Sequence, residues 1–405
     1  MKYLPKKISS LLFLTFPFSA FGFYIGPLLF SICFIPIILI NLLSLQNRFF
    51  KKSLSIKFII FISICFISSF GRYPISSFLP SLLVFSFLLF PFLTKIKIIN
   101  TQRLMINSFA LLSIYCLFEF IIGLISVQLM FDIENFLNIK GSTTTYKGIR
   151  RLRGAFLEPS VMGIALNFYL LYFFNLIRIS FTKKMILIFV AILLIILTFS
   201  SSAYAALTLN IIFTISNKLK IKNIKLNVKK IMFLSVFALV LVFGNNYFFA
   251  PIYKALEKLT LIPDVILNGN ITGSVGYRIN SLIVAPMYIQ EADFYGRMLG
   301  TGFSNYSDYI ITNYGHNEFS GFYDGSIGNI FSAILLSTGL LGFFSFLFFM
   351  KEAIYIQNKL THMNFIFLVI MALISFGDLT SPWVWIIIYT TKISLENIYK
   401  YEHEN

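Results

Sequence analysis

The chain has 405 residues, of which 58% are hydrophobic and only 12% are charged, and its formal net charge is +17. A soluble domain has about 25% charged residues, so this composition excludes a soluble globular protein and indicates a polytopic membrane protein. Membrane topology also accounts for the excess of lysine and arginine, so no nucleic-acid partner is expected.

Apolar runs recur along the chain at about the length of a membrane-spanning helix, which needs about 20 mostly apolar residues. The predicted spans cover residues 9–23, 26–45, 57–70, 74–93, 104–130, 160–178, 185–199, 202–216, 231–249, 328–350, 362–377 and 382–397. The predicted fold is therefore an all-α polytopic membrane protein with about 12 transmembrane helices, or 10–12 if the shortest runs do not span. The basic start could also belong to a cleaved secretory signal, but more apolar chain follows directly, so an uncleaved first helix is expected.

These spans divide the chain into four regions. Residues 1–103 hold the first four helices, and 104–249 hold five more with an arginine-rich outer loop at 131–158. Residues 250–327 form a long outer loop that is predicted to be partly helical, and 328–405 hold the last three helices. A connection of that length inside a compact domain is usually functional.

The positive-inside rule orients the chain with both termini in the cytoplasm, because most of its 33 lysines and arginines then lie inside. The exceptions are Arg72, five cations between Lys140 and Arg153, and four cations in the long outer loop. Positive charge on the outer side opposes the rule, so these positions are candidates for function.

The stretch "KGIRRLRGAFLEPS" begins at Lys147 and leads into the sixth predicted helix. Its arginines, Arg150, Arg151 and Arg153, could bind phosphate oxygens through two parallel hydrogen bonds, which makes a diphosphate at the membrane surface a candidate ligand. The alternative is contact with anionic lipid headgroups. Arg278 in "GSVGYRIN" is a second candidate, with a solvated arginine on an amphipathic helix as its alternative.

Few side chains on the outer side could act as a general base for a sugar hydroxyl. Glu158 precedes Pro159 at a predicted helix start, where a carboxylate also favours the helix dipole, so both roles are open. His316 is the one histidine predicted outside, and Glu318 and Asp324 are its rivals.

Glu119 is the one carboxylate predicted near the middle of the membrane. Such residues are usually functional, so either a structural hydrogen bond or a proton site in a transporter is expected. No metal or other cofactor is expected, because Glu291 and Asp293 lack further oxygen ligands nearby in sequence. "GTGF" at Gly300 lacks the lysine and the strand-to-helix context of a nucleotide-binding loop.

Several of these pieces occur in a characteristic order: an arginine-rich loop running into "RGAFLEPSVMG", a span pair around "LTFSSSAYAAL", an outer loop with "GYRINSL" and "LGTGFSNY", and a helix with "STGLLGF". In this order, over about residues 105–350, the chain resembles the O-antigen polymerase and ligase superfamily, and within it the Wzy-type polysaccharide polymerases most closely.

The resemblance implies glycosyl transfer on the outer face of the bacterial inner membrane, without metal, nucleotide sugar or other cofactor. The implied substrate is a glycan linked to undecaprenyl diphosphate, and the implied partners are the lipid bilayer and a chain-length regulator protein. Arg151, Arg153 and Arg278 match arginines of the family and would hold the diphosphate, stabilising charge on the leaving group.

The chain departs from the family at the histidine. The family often places a His-Asn pair about eleven residues before its helix signature, and counting back from Gly339 reaches Gly328 and Asn329 instead of His316. Glu158 and Asp324 therefore stay in contention as the base. A ligase that moves glycan to the lipid A core is an alternative function, and a lipid-linked oligosaccharide flippase is another, although a flippase predicts more charge among the helices.

Overall fold

The protein is mostly helical. The computed structural model describes residues 5–15, 17, 22–25, 28–47, 50–94, 98, 100–136, 145–146, 149–154, 156, 158–176, 179–220, 273–303, 305–307, 309–312, 328–376 and 379–403. The described helices are α1 Lys6–Thr15, α2 Phe34–Asn47, α3 Lys52–Ser69, α4 Ile75–Leu89, α5 Thr101–Ile125, α6 Val127–Phe136, α7 Pro159–Phe174, α8 Phe181–Leu197, α9 Ser201–Lys220, α10 Gly273–Glu291, α11 Phe294–Leu299, α12 Ile330–Ala353, α13 Lys359–Ile374 and α14 Pro382–His403. The described strands are β1 Gly22–Ile25, β2 Leu28–Ser31, β3 Thr145–Tyr146 and β4 Ile149–Arg150.

Four described helices are long and apolar enough to cross a membrane. They are α3, α4 with its 3-10 extension to Leu93, α5 and α12. Shorter apolar helices lie at Phe34–Gln46, Pro159–Phe174, Ser201–Thr214 and Thr361–Ile374. The prediction of a mostly helical membrane protein is confirmed at this level.

The prediction of one helix over 9–23 is wrong. Helix α1 ends at Thr15, and β1 pairs with β2 as an antiparallel hairpin in which Phe23 lies opposite Phe30. Pro17 disfavours a continuing helix because it has no N–H and its ring clashes with the preceding turn. Aromatic residues favour strands, and a second short hairpin joins β3 to β4, so two short hairpins accompany the helices in the part of the chain that the structure describes.

The predicted span over 104–130 is two helices. Ser126, between α5 and α6, has extended backbone angles, with φ −157° and ψ 118°. Its hydroxyl oxygen accepts a hydrogen bond from the backbone N–H of Leu129 at 3.2 Å. A serine in this position caps the following helix, so the chain turns here before the arginine-rich stretch.

Helix α12 is broken at Gly339, whose φ of 62° and ψ of −164° are nearly restricted to glycine. The break frees helix carbonyls, and the segment 300–302 supplies new donors: Thr301 N–H donates to Leu336 O at 2.7 Å and Gly302 N–H to Ser337 O at 3.0 Å. A side chain at Gly339 would overlap the backbone of Met298. The "GTGF" stretch therefore packs directly against an interrupted membrane helix, where protein donors satisfy the exposed carbonyls.

The bundle has two chemically different ends. Lys57 near the start of α3 pairs with Glu352 near the end of α12 at 2.6 Å, and at the other end Phe303 N–H donates to Ser69 Oγ at 2.6 Å. We call the first the lysine end, which holds Lys51, Lys57, Lys184 and Glu352. We call the second the arginine end, which holds Arg72, Arg151 and Arg153, at the C-terminal ends of α3 and α5 and the N-terminal ends of α4, α7 and α9.

Polar side chains also link helices inside the bundle. Asn210 of α9 donates to the carbonyl of Asn167 on α7 at 3.0 Å and accepts from Asn364 of α13 at 2.8 Å. The amide of Asn167 donates in turn to Ala203 O at 3.1 Å. All three asparagines are buried, so these hydrogen bonds fix the rotation of α7, α9 and α13.

Candidate functional site

The arginine-rich segment 151–154 is tied to the bundle by a buried carboxylate. Glu119 of α5 accepts the N–H of Arg153 on one oxygen at 3.3 Å and the N–H of Gly154 on the other at 2.7 Å. Both side-chain oxygens of Glu119 are therefore engaged as acceptors. Leu152 N–H also donates to Leu197 O at 3.1 Å, which ties the segment to the end of α8. Of the two predicted roles for Glu119, the structural hydrogen bond is the one these contacts match.

The side chain of Arg153 makes its contacts inside the protein. Only 1% of it is exposed, and its guanidinium pairs with Glu134 of α6 at 2.8 Å. The same guanidinium donates to Phe156 O at 3.3 Å. Direct diphosphate binding by Arg153 does not fit this placement, because the cation already has a buried carboxylate partner. Its geometry instead suits a residue that positions the segment.

Arg151 lies two residues earlier and is only partly buried. Its Nε donates to Thr198 O at 3.2 Å, where α8 ends and α9 begins. Such a contact orients the guanidinium. Of the two arginines whose side chains the structure describes in this segment, Arg151 is the more exposed and is therefore the better candidate for an anion contact.

Glu158 stands at the N-cap position of α7, and Pro159 is the first helical residue, as predicted. Its carboxylate accepts a hydrogen bond from the Ser160 hydroxyl at 3.0 Å. The side chain is partly exposed. This position matches the helix-dipole interpretation. Glu158 also lies close to Arg151 in the chain, and its role as a general base stays a prediction.

The other predicted site residues are described only in part or not at all. Arg150 lies in β4 and Arg278 in α10, which confirms a helix in that part of the long loop, but their side chains are outside the described residues. His316 and Asp324 also lie outside the described residues. Asn329, the position reached by counting back from Gly339, is buried and caps α12 by accepting from Ser332 N–H at 2.7 Å.

A second polar feature at the arginine end was missed by sequence reasoning. It is a cavity of about 480 Å³ that we call the Arg72 pocket, lined by Arg72, Tyr73, Tyr288, Asp293, Gly296, Gly300, Thr301, Tyr309 and Thr312. The lining residues come from the turn after α3, from α10 and α11, and from the segments that follow α11. The one clue in the sequence was Arg72, an isolated cation predicted on the outer side.

Hydrogen bonds and ring contacts shape the Arg72 pocket. The Arg72 guanidinium donates to Gly300 O at 2.6 Å, which joins the α3 turn to the segment that packs on broken α12. The rings of Tyr288 and Tyr309 meet edge to face, with centroids 4.7 Å apart. Burial raises the pKa of the Tyr288 phenol, an effect that Arg72 partly opposes, so Tyr288 stays a hydrogen-bond donor at neutral pH.

Chemically, the Arg72 pocket combines flat aromatic faces with a few charged and hydroxyl groups. That combination is typical of sites for small polar ligands, which occupy cavities of about 300–1,000 Å³. Asp293 is partly committed, because its carboxylate accepts from Gly296 N–H at 2.7 Å and caps α11. The arginine end therefore offers a fixed arginine segment and a separate aromatic pocket.

No protein-family model matches the chain, and no curated protein matches it either.

Proposed function

We propose that this protein is a glycosyltransferase of the bacterial inner membrane that polymerises undecaprenyl-diphosphate-linked oligosaccharide repeat units into O-antigen or a related surface polysaccharide. The observation that supports this proposal most directly is the arginine segment 151–154, which Glu119 holds at the arginine end of an apolar helix bundle. The motif order that resembles Wzy-type polymerases supports the same function. The proposal includes twelve spans, with the lysine end in the cytoplasm and the arginine end facing outward.

In the proposed reaction, a hydroxyl at the non-reducing end of one lipid-linked repeat unit attacks the anomeric carbon of the growing glycan. The bond from that carbon to the diphosphate oxygen breaks, a new glycosidic bond forms, and undecaprenyl diphosphate leaves with the bonding electron pair. The hydroxyl proton passes to a base, for which Glu158 is the candidate among the described side chains.

Arg151 has the proposed role of stabilising the negative charge that develops on the diphosphate. A fixed cation is effective there because it does not need to reorganise as the charge forms. Arg153 and Glu119 would hold Arg151 in place. The Arg72 pocket has the size and the aromatic lining to hold one sugar unit of the glycan, and we include it as a glycan subsite.

Gel analysis of lipopolysaccharide tests this function. The strain carries a deletion of the gene and is complemented by the parent protein, by Arg151→Ala or by a control, Arg297→Gln, at matched amounts in the membrane. Arg297 is exposed at the same end, and its guanidinium donates only to carbonyls of Gln290 and Ala292 in the described contacts. We expect the deletion and Arg151→Ala to leave single repeat units on the core, and Arg297→Gln to restore the ladder.

Removal of one such electrostatic contact typically lowers a rate by about 10²–10³. Full ladder formation by Arg151→Ala would contradict the role of this arginine. Bare core with accumulated lipid-linked polymer in the deletion strain would identify a ligase instead. Absence of any lipid-linked unit on the outer face would identify a flippase.

A further inference from the structure

A large groove opens at the lysine end, at the opposite end of the bundle from the arginine segment and the Arg72 pocket. It has a volume of about 810 Å³ and lies between the N-terminal parts of α5 and α8. It is lined by Asn100, Gln102, Arg103, Ile106, Asn107, Ile179, Ser180, Lys183, Ile186 and Leu187. Most of its exposed lining surface is apolar, although two cations stand at its rim.

The two walls of the groove repeat one pattern. On α5, Arg103 is followed three residues later by Ile106, and on α8, Lys183 is followed three residues later by Ile186. Residues three apart lie on one face of a helix, one turn deeper along its axis. Each wall therefore places a cation at the rim and an aliphatic side chain about 5 Å further into the bundle.

The cations at the rim are available to a ligand. Arg103 and Lys183 are both exposed, and neither has a hydrogen bond or ion pair with any residue that the structure describes. The first turns of α5 and α8 add the partial positive charge of two helix N-termini beside them. The rim thus attracts an anion, whereas Ile106, Ile186 and Leu187 offer an apolar surface below it.

Cations at the rim with apolar side chains below them match a phospholipid at a membrane surface, in which a charged phosphate lies above apolar acyl chains. Helix α5 is long and apolar enough to span a membrane. With its first turn at the headgroup level, Ile106 would lie below that level. Ile186 is 55% exposed and Phe181 62% exposed, so the outer wall of α8 presents a lipid-compatible face. A free anion would use the rim and leave the apolar walls without a partner.

We propose that the α5–α8 groove binds one anionic phospholipid, with its phosphate between Arg103 and Lys183 and its acyl chains along Ile106, Ile186 and Leu187. Anionic lipids are abundant in the cytoplasmic leaflet and attract basic residues there. The cytoplasmic leaflet rests on the orientation in the proposed function, but lipid binding in the groove does not depend on glycosyl transfer, so either proposal can fail while the other holds.

Lipid binding to the purified full-length protein tests the site. Delipidated protein in detergent is titrated with dioleoyl phosphatidylglycerol or dioleoyl phosphatidylcholine, and bound lipid is counted by native mass spectrometry. The test variant is Arg103→Gln with Lys183→Gln. The control is Lys351→Gln with Lys359→Gln, which removes two exposed lysines at the same end of the bundle.

We expect one phosphatidylglycerol to bind more tightly than phosphatidylcholine, and the test variant to weaken that binding roughly thirtyfold, as two surface cations would. The control variant should bind as the parent does. Equal binding by the test variant and the control would overturn the proposal, as would equal affinity for the two lipids. Glycerol phosphate is the probe for a free anion, and displacement of the lipid by it at similar concentration would also overturn the proposal.

Thermal unfolding in the same detergent provides a second measurement. Phosphatidylglycerol should raise the midpoint of the parent and the control but not that of the test variant, since a ligand stabilises only a state that binds it. All four substitutions are at exposed positions, so the unliganded midpoints should agree. A test variant that gains as much as the parent would contradict the site.

Discussion

Replacement of Glu119 by glutamine should release the arginine segment from the bundle. Glu119 is 1% exposed, and its two oxygens accept from Arg153 N–H at 3.3 Å and Gly154 N–H at 2.7 Å. Glutamine keeps one acceptor oxygen but places an NH₂ group against the other N–H, so two donors face each other. The change also removes the charge that strengthens the remaining hydrogen bond.

The magnitude follows from these contacts. A hydrogen bond to a charged group contributes about 1.5–3 kcal/mol, and a buried donor left without its partner costs about 1–3 kcal/mol. Allowing for relaxation of the segment, we expect Glu119→Gln to lower the free energy of local opening by about 3 kcal/mol. That corresponds to roughly a hundredfold increase in the open population.

Cys116 provides the assay, because it lies one turn before Glu119 on α5 and is fully buried. Its sulfur lies close to Gly154, where an added side chain would come within 3.3 Å of it. Opening of the segment should therefore expose Cys116 to a maleimide reagent. Labelling is measured in membranes, in a background where Cys33 and Cys65 are replaced by alanine.

The control is Asp132→Asn, an exposed acid-to-amide change on neighbouring α6. Asp132 accepts a hydrogen bond from Gln128, and exposed interactions of this kind contribute little. We expect Cys116 to label about a hundredfold faster in Glu119→Gln than in the control. Equal labelling rates would refute the conclusion that the carboxylate holds the arginine segment.

Three further substitutions test the fold and the pocket. Gly339→Ala should destabilise the protein by roughly 3 kcal/mol or more, because the backbone angles at this position suit only glycine and a side chain would overlap Met298. An unfolding midpoint in detergent equal to that of the parent would contradict this. Asn210→Leu should cost about 1–2 kcal/mol by the same measurement, since it removes the links to α7 and α13, and no change would show that the links contribute nothing. Arg72→Ala should lower polysaccharide yield about tenfold at equal protein level, because it opens the contact with Gly300; a yield equal to that of Arg297→Gln would argue against a glycan subsite.

The sequence by itself was sufficient for those features that depend on local composition. Hydropathy summed over about twenty residues located most of the described apolar helices, because lipid selects for apolar character on every face of a span. Pro159 marked the start of α7, and the lysine and arginine distribution distinguished the two ends of the bundle. The chemistry of Pro17 and Ser126 also accounts for the end of α1 and the cap of α6, which a sum of hydropathy values does not detect.

Only the tertiary structure decided which charged residues are buried against each other and which stay partly exposed. Arg151 and Arg153 look alike in sequence, yet Arg153 is buried against Glu134 and Arg151 is partly exposed. Arg72 meets Gly300 across 228 residues of chain, a pairing that no local pattern contains. Because spans are apolar on nearly all faces, their periodicity does not fix helix rotation or neighbours. Those depend on packing, hydrogen bonds between helices and the break at Gly339, which together place the arginine segment and the Arg72 pocket at one end.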